Sequence, residues 1–199
     1  MKAGDSSRCG KKVAIKVAIM KGSVRCQSLT LGGSGQNTLQ AQEKHGKRLD
    51  KTSQKRRVRD VDPFVYRSLN LKDEYDKHTE NTRRNTGSKR PILHFIIQFP
   101  SQILTPKAPG PFGLADTVDK QKRIMAKQAV DFINETHGGD AVFAARVDRD
   151  EMGELIVDVF ACPKYEKVTK GRGKNGQKTE TWISSTKFGK ELAEKHQDE

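Results

Sequence analysis

Val13, Ile15, Val17 and Ile19 alternate with Ala14, Lys16, Ala18 and Met20, the period-two pattern of a half-buried strand. Ile92 to Phe99 is a run dense in Ile and Phe between Pro91 and Pro100, which predicts a central strand. Asp116 or Thr117 can cap a helix whose apolar positions Val118, Met125, Ala129, Phe132 and Ile133 follow the 3.6-residue period, and Gly138 is placed to end it. Ala141 to Asp148 and Glu154 to Cys162 alternate on either side of a polar turn, which predicts a hairpin ended by Pro163. Trp182 and Ile183 form a short strand, after which Ser184 or Ser185 caps a last helix with Phe188 and Leu192 on one face. The order strand, helix, hairpin, strand, helix predicts an α+β fold: an antiparallel sheet with helices on one face.

The segments between these elements are polar. Residues 1–12 read as disordered, and Gly22 to Thr38 is a Gly/Ser-rich loop without the Lys-Ser/Thr ending of a phosphate-cradling loop. Leu39 to Arg59 is either a basic helix or a loop, Asp62-Pro63 breaks any helix, and residues 71–90 read as a connector. Thr105 to Gly113 is a Pro/Gly loop, and Lys164 to Glu180 a long basic loop. The predicted organisation is thus a disordered start (1–12), a basic N-terminal region (13–90) and an α+β core (91–199).

Composition changes this picture in one respect. The 199 residues are 33% hydrophobic and 32% charged, so a core drawn from the whole chain would be thin and part of the chain is expected not to pack. The net charge of +13 is uneven: residues 1–60 carry 15 basic and 4 acidic side chains, whereas 91–163 carry 7 and 10. Cations gathered on an arm and a late loop are the footprint of a polyanion binder, because each one near a phosphate releases condensed counterions. The apolar runs are shorter than the roughly 20 residues that span a bilayer, and no signal-peptide pattern is present, so an intracellular protein is expected. Cys9, Cys26 and Cys162 are unclustered and read as reduced thiols, without zinc spacing.

Residues 118–199 resemble the nicking domain of the MobV-type plasmid mobilisation and recombination (Pre/Mob) relaxases. The family shows a helix, a strand, a motif of the form H-x-D-E-x-T-P-H-x-H, a strand ending in proline, a variable loop, and an L-S-S-like turn opening a helix. Here the matching text runs from Ala144 through Asp148, Asp150, Glu151 and Val157, then Phe160-Ala161-Cys162-Pro163, then Trp182-Ile183-Ser184-Ser185. Upstream, Met20-Lys21-Gly22, Lys44-His45-Gly46-Lys47-Arg48, Asp60-Val61-Asp62-Pro63 and Leu69-Asn70-Leu71 resemble the family's first strand, the region of its nucleophile and a following turn. The resemblance implies a bacterial cytoplasmic protein of the HUH-like fold. It also implies plasmid mobilisation, recombination or conjugation, with single-stranded or hairpin DNA and other mobilisation proteins as partners. Such proteins hold a metal through histidines on a sheet while a side chain attacks the scissile phosphate.

The histidines themselves are missing. Without gaps Asp148 replaces the first, Leu155 and Val157 replace the pair, and Glu151 keeps the acidic residue. With residues 150–153 as the loop, Asp148 would face Leu155, and Arg146 would point away from Asp158. Shifting the second strand by one residue brings Asp158 to a ligand position instead, so that Asp148, Glu151 and Asp158 would offer oxygen ligands to Mg or Mn. His45 and Tyr66 are the two nucleophile candidates. Lys44, Lys47, Arg48, Lys55, Arg56, Arg57 and Arg59 in the arm, with Lys167, Lys170, Arg172 and Lys174 in the late loop, are the expected phosphate contacts. Three functions follow: a DNA-binding, relaxase-like domain degenerate in metal binding, an active metal-dependent nicking enzyme, or a non-enzymatic basic RNA-binding protein.

Overall fold

The computed structural model describes residues 22–100, 113–151, 156–170 and 176–188. Five antiparallel strands form the main sheet in the order β1-β3-β5-β4-β2: β1 (Ser23–Leu29), β2 (Phe64–Tyr66), β3 (Ile92–Gln98), β4 (Val142–Val147) and β5 (Ile156–Ala161). The helices are α1 (Leu39–Gly46), α2 (Lys51–Arg56), α3 (Leu71–Thr79) and α4 (Gly113–Thr136), and β6 (Lys164–Lys170) pairs with β7 (Gln177–Ile183) in a separate ribbon. This is the expected α+β architecture with an antiparallel sheet.

Strand alternation divides the core in two. On one side Leu93, Phe95 and Ile97 of β3, Ala145 and Val147 of β4, and Val157 and Val159 of β5 pack under Ala129, Val130 and Ile133 of α4. On the other side Ile92, Phe143 and Phe160 pack with Leu39 of α1, Leu71 and Tyr75 of α3, and Ile183 of β7. The long helix therefore covers one face and the short helices part of the other. Its buried stripe uses Val130 where the periodicity put Phe132, which is 50% exposed.

Several polar segments are more ordered than their composition suggests. The strand expected at Val13–Met20 lies outside the described residues, as do most of the Pro/Gly loop and the end of the last helix. β1 lies instead inside the stretch read as a Gly/Ser loop, held by its backbone pairing to β3 from Ser23↔Gln98 to Leu29↔Ile92. The 71–90 connector contains α3, because Leu71, Tyr75 and His78 recur on one buried face. The basic loop after Pro163 is mostly the β6–β7 ribbon, whose pairs include Tyr165↔Trp182 and Val168↔Thr179. Local propensity was weak in all three, and pairing with a neighbour decided the outcome.

Phe160 is fully buried and stacks on the His94 ring at a centroid distance of 4.6 Å. Phe160→Ala is expected to lower unfolding free energy by about 3–5 kcal/mol in urea titration, since the cavity would lie in the core layer between the sheet and α1 and α3.

Candidate functional site

α1 and α2 stand over the α4-distal face of the sheet and leave a cleft of about 500 Å³ between themselves and β3, β4 and β5. Each helix is started by a side-chain cap. Thr38 accepts a hydrogen bond from the Ala41 amide at 3.0 Å, and Asp50 accepts from the Thr52 and Ser53 amides at 2.9 Å each. The cleft floor is polar, with His94, Arg146, Asp148 and Asp158 on the sheet and His45 on α1.

The floor is organised by the β4–β5 register, in which Arg146 lies directly opposite Asp158 and Val147 opposite Val157. This is the shifted alternative. The first register expected, with Asp148 facing Leu155, is not the one found, and the placement of Arg146 on the opposite face from Asp158 is corrected with it. Arg146 Nη2 is 3.0 Å from Asp158 Oδ2, its Nε donates to the same oxygen at 3.2 Å, and its Nη1 donates to the Gln42 carbonyl at 2.9 Å. The other oxygen of Asp158 lies 2.8 Å from His94 Nε2, and His94 Nδ1 is 2.9 Å from Gln27 Nε2. Burial alone would raise the Asp158 carboxyl. The Arg146 charge and the His94 hydrogen bond overcome that and hold it down at about 2.

A second arginine serves the turn that follows β4. Arg48, which adopts a left-handed backbone conformation with φ 57°, donates from Nε to Asp150 Oδ2 at 2.7 Å and from Nη1 to Glu151 Oε1 at 2.9 Å. Its Nη2 also pairs with Asp150 and lies 3.4 Å from Asp148 Oδ1. Burial opposes the Arg48 charge, yet the hydrogen bond to Asp150 and the neighbouring acids raise its pKa further. Asp148 goes the other way: burial raises its pKa despite Arg146 and Arg48, with Asp158 and Glu151 adding to the rise. His45 has its Nδ1 3.3 Å from Asp50 Oδ2 and its Nε2 3.7 Å from Glu151 Oε1.

No protein-family model and no curated protein matches the chain. Solved structures do: a MobM relaxase domain (MOBV; Mob_Pre), Mn-bound and in complex with plasmid pMV158 oriT DNA. In its pH 6.8 structure the identity is 19% and the TM-score 0.51, covering 83% of this chain and 74% of that one. In its pH 4.6 structure the identity is 17% and the TM-score 0.51, covering 86% and 79%. The chain has the relaxase-domain fold.

The resemblance read from residues 118–199 therefore holds at the level of fold, and it makes the metal question specific. On the motif reading, the observed register would put the family's histidine positions on Asp148, Ile156 and Asp158. His45, Asp148 and Glu151 each bring one ligand atom within 4.8 Å of the others, and Asp148 Oδ1 accepts no hydrogen bond among the described residues. Against this, Glu151 already accepts from Arg48, and Asp148 lies between Arg48 at 3.4 Å and Arg146 at 3.5 Å. Two guanidinium charges beside the same carboxylate repel a divalent cation. These ion pairs compete with a divalent cation for the same carboxylates.

The other sequence candidates divide by location on the relaxase fold. Lys44 and Arg56 line the cleft with His45, joined by Lys51, which the sequence reading passed over. Lys47 pairs with Glu43 at 2.5 Å, and Arg57 pairs with Asp60. Lys55 is exposed, and Arg59 donates to the Arg149 carbonyl at 3.4 Å. Tyr66 is 39% exposed and shares the α4-side face with Phe64, so it is not brought to the cleft. Lys167 lies 4.2 Å from the Trp182 ring centre and Lys170 is exposed on the same ribbon, while Arg172 and Lys174 lie outside the described residues. Arg146 and His94 were legible only as strand residues, because nothing local marks a cross-strand partner.

Removing one member of a buried pair strands the other. Asp158→Asn is expected to cost about 3–5 kcal/mol at pH 7 by urea unfolding. Because the folded pKa is depressed, the contribution is full above the unfolded value near 3.9 and is lost as pH falls toward about 2. The wild-type and Asp158→Asn stabilities should therefore converge over that window; parallel curves would refute the assignment.

Proposed function

We propose that this chain is a DNA-binding domain of relaxase architecture that takes a single strand or hairpin end into the cleft between α1–α2 and the sheet. One observation carries the reading: Lys44, Lys51 and Arg56 line the cleft above His45, in a fold whose solved neighbour is bound to plasmid oriT DNA. The three cations sit where a strand entering the cleft would pass, and each neutralised phosphate would release counterions. Lys167 and Lys170 on the ribbon, together with Arg172 and Lys174 of the sequence between β6 and β7, are the second set of phosphate contacts in this proposal. His45, oriented by Asp50, is the side chain that would meet a phosphate at the cleft floor. The biological setting that goes with the proposal is plasmid mobilisation in a bacterial cytoplasm, alongside other mobilisation proteins. Among the described residues no helix is long and apolar enough to cross a membrane.

The proposal treats the metal histidines as lost, because the motif reading sets Asp148, Ile156 and Asp158 against their positions. A metal-dependent nicking enzyme is the second reading, and the approach of His45, Asp148 and Glu151 to one another favours it. In it, His45 would attack phosphorus, a new bond to the 5′ phosphate would form, and the 3′ oxygen would leave.

Gel-shift titration with a single-stranded oligonucleotide and with a stem-loop should show binding that weakens linearly in log–log plots against salt. The Lys44, Lys51 and Arg56 triple alanine variant should lower that slope by about 2, at roughly 0.7 per lost phosphate contact on single strands. Absence of binding at about 50 mM salt would refute the proposal. Relaxation of supercoiled plasmid that requires Mn or Mg and is lost in Asp148→Ala and Glu151→Ala would replace it with the nicking reading.

A further inference from the structure

We infer that Arg146, backed by Arg48, is a built-in cation that holds the carboxylates of the cleft floor in the place of a divalent ion and closes the site to one. The inference deepens the DNA-binding reading and rests on it only for its last consequence, that binding needs no metal.

Arg146 is 3% exposed and is fixed from three directions: Asp158 at 3.0 Å, Asp148 at 3.5 Å, and the Gln42 carbonyl of α1 at 2.9 Å. The backbone is shaped around it. A Cβ added to Gly46, at the end of α1, would come within 2.3 Å of Arg146 Nη1, so a side chain there would push the guanidinium out of its present place. Asp148 and Asp158, the two acids at the family's ligand positions in the observed register, are thus joined by one planar fork instead of by an ion. Both oxygens of Asp158 are already engaged, Oδ2 by Arg146 and Oδ1 by His94 at 2.8 Å, so a metal there would compete with both.

Arg48 repeats the arrangement one turn further on, where it binds Asp150 and Glu151 through separate nitrogens. With two carboxylates near each guanidinium, a divalent ion on the floor would compete with Arg48 and Arg146 for the same acids. A guanidinium supplies charge and N–H donors but is not a Lewis acid, so the exchange keeps the electrostatics that admit a phosphate and gives up polarisation of the scissile bond.

The test is Mn²⁺ binding to the protein alone, followed by the electron paramagnetic resonance signal of the free ion. The wild type should show no saturable binding up to about 1 mM. Arg48→Gln and Arg146→Gln should each raise Mn²⁺ affinity at least tenfold, with the gain removed by adding Asp148→Asn. Arg48 lies nearer the surface, so its variant decides the question if Arg146→Gln fails to fold. Saturable wild-type binding below about 100 µM that is lost in Asp148→Asn would overturn the inference. So would a folded arginine variant that gains no affinity. DNA binding should be equal in EDTA and in Mn²⁺, and a requirement for Mn²⁺ would overturn it too. A protein that binds neither Mn²⁺ nor DNA would refute the DNA-binding reading and leave the arginine assignment standing.

Discussion

The pairing of Arg146 with Asp158 across β4 and β5 is the constraint on which the rest of the cleft depends. Two charges taken out of water cost several kcal/mol each, and their attraction offsets that only when the remaining donors and acceptors are also satisfied. Here they are: the guanidinium reaches the Gln42 carbonyl and the carboxylate reaches His94, which is itself held by Gln27. The pair therefore does more than neutralise itself. It ties α1 to β4 and, through His94, links the three inner strands to the edge strand β1. It also fixes the register, because a slip of one residue would send Arg146 into the apolar packing under α4 and bring Val147 or Val157 to the polar face.

Arg48 extends that order to the segment joining α1 and α2. Its left-handed backbone turns the chain after α1, and its side chain then holds the turn after β4 through Asp150 and Glu151. The Val58 amide donates to the Asp150 carbonyl at 2.7 Å, so the same turn also receives the chain leaving α2. Short basic helices with few apolar residues would not dock on hydrophobic contact alone. Leu39 is the fully buried apolar anchor of α1, and α2 buries Ser53 alone. The cleft exists because ion pairs and caps position these helices above the sheet, where a larger apolar interface would have filled it.

The apolar elements were legible in the sequence because burial on both faces writes itself as composition. Ile92–Gln98, the α4 stripe and the β4–β5 hairpin all follow from periodicity and proline placement. β1, α3 and the β6–β7 ribbon did not, since their residues are polar and each is settled by a partner distant in the chain, as Gln27 is by His94 or Tyr165 by Trp182. The site was legible in its residue types and not in its geometry. Asp148, Glu151, Asp158 and His45 could be picked out from the motif. One residue of register decided whether Asp158 shares a face with Arg146, and the register that makes Asp158 a ligand candidate is the same one that pairs it with Arg146; the hairpin sequence permitted both registers.

The net charge of +13 bears on function only after the cations are sorted by what they touch. Arg48 and Arg146 are spent inside the protein, and Lys47 and Arg57 are paired along their own segments, so these contribute little to the field outside. Lys44, Lys51 and Arg56 remain around a floor that carries Asp148, Asp158 and Glu151. A phosphate drawn in by those lysines and Arg56 would be repelled by that floor if its carboxylates were bare. The similar solved relaxase domains are Mn-bound. In this chain Arg48 and Arg146 partly offset the charge of the floor, and on the proposed DNA-binding reading the same side chains that hold the register would ease the entry of a polyanion.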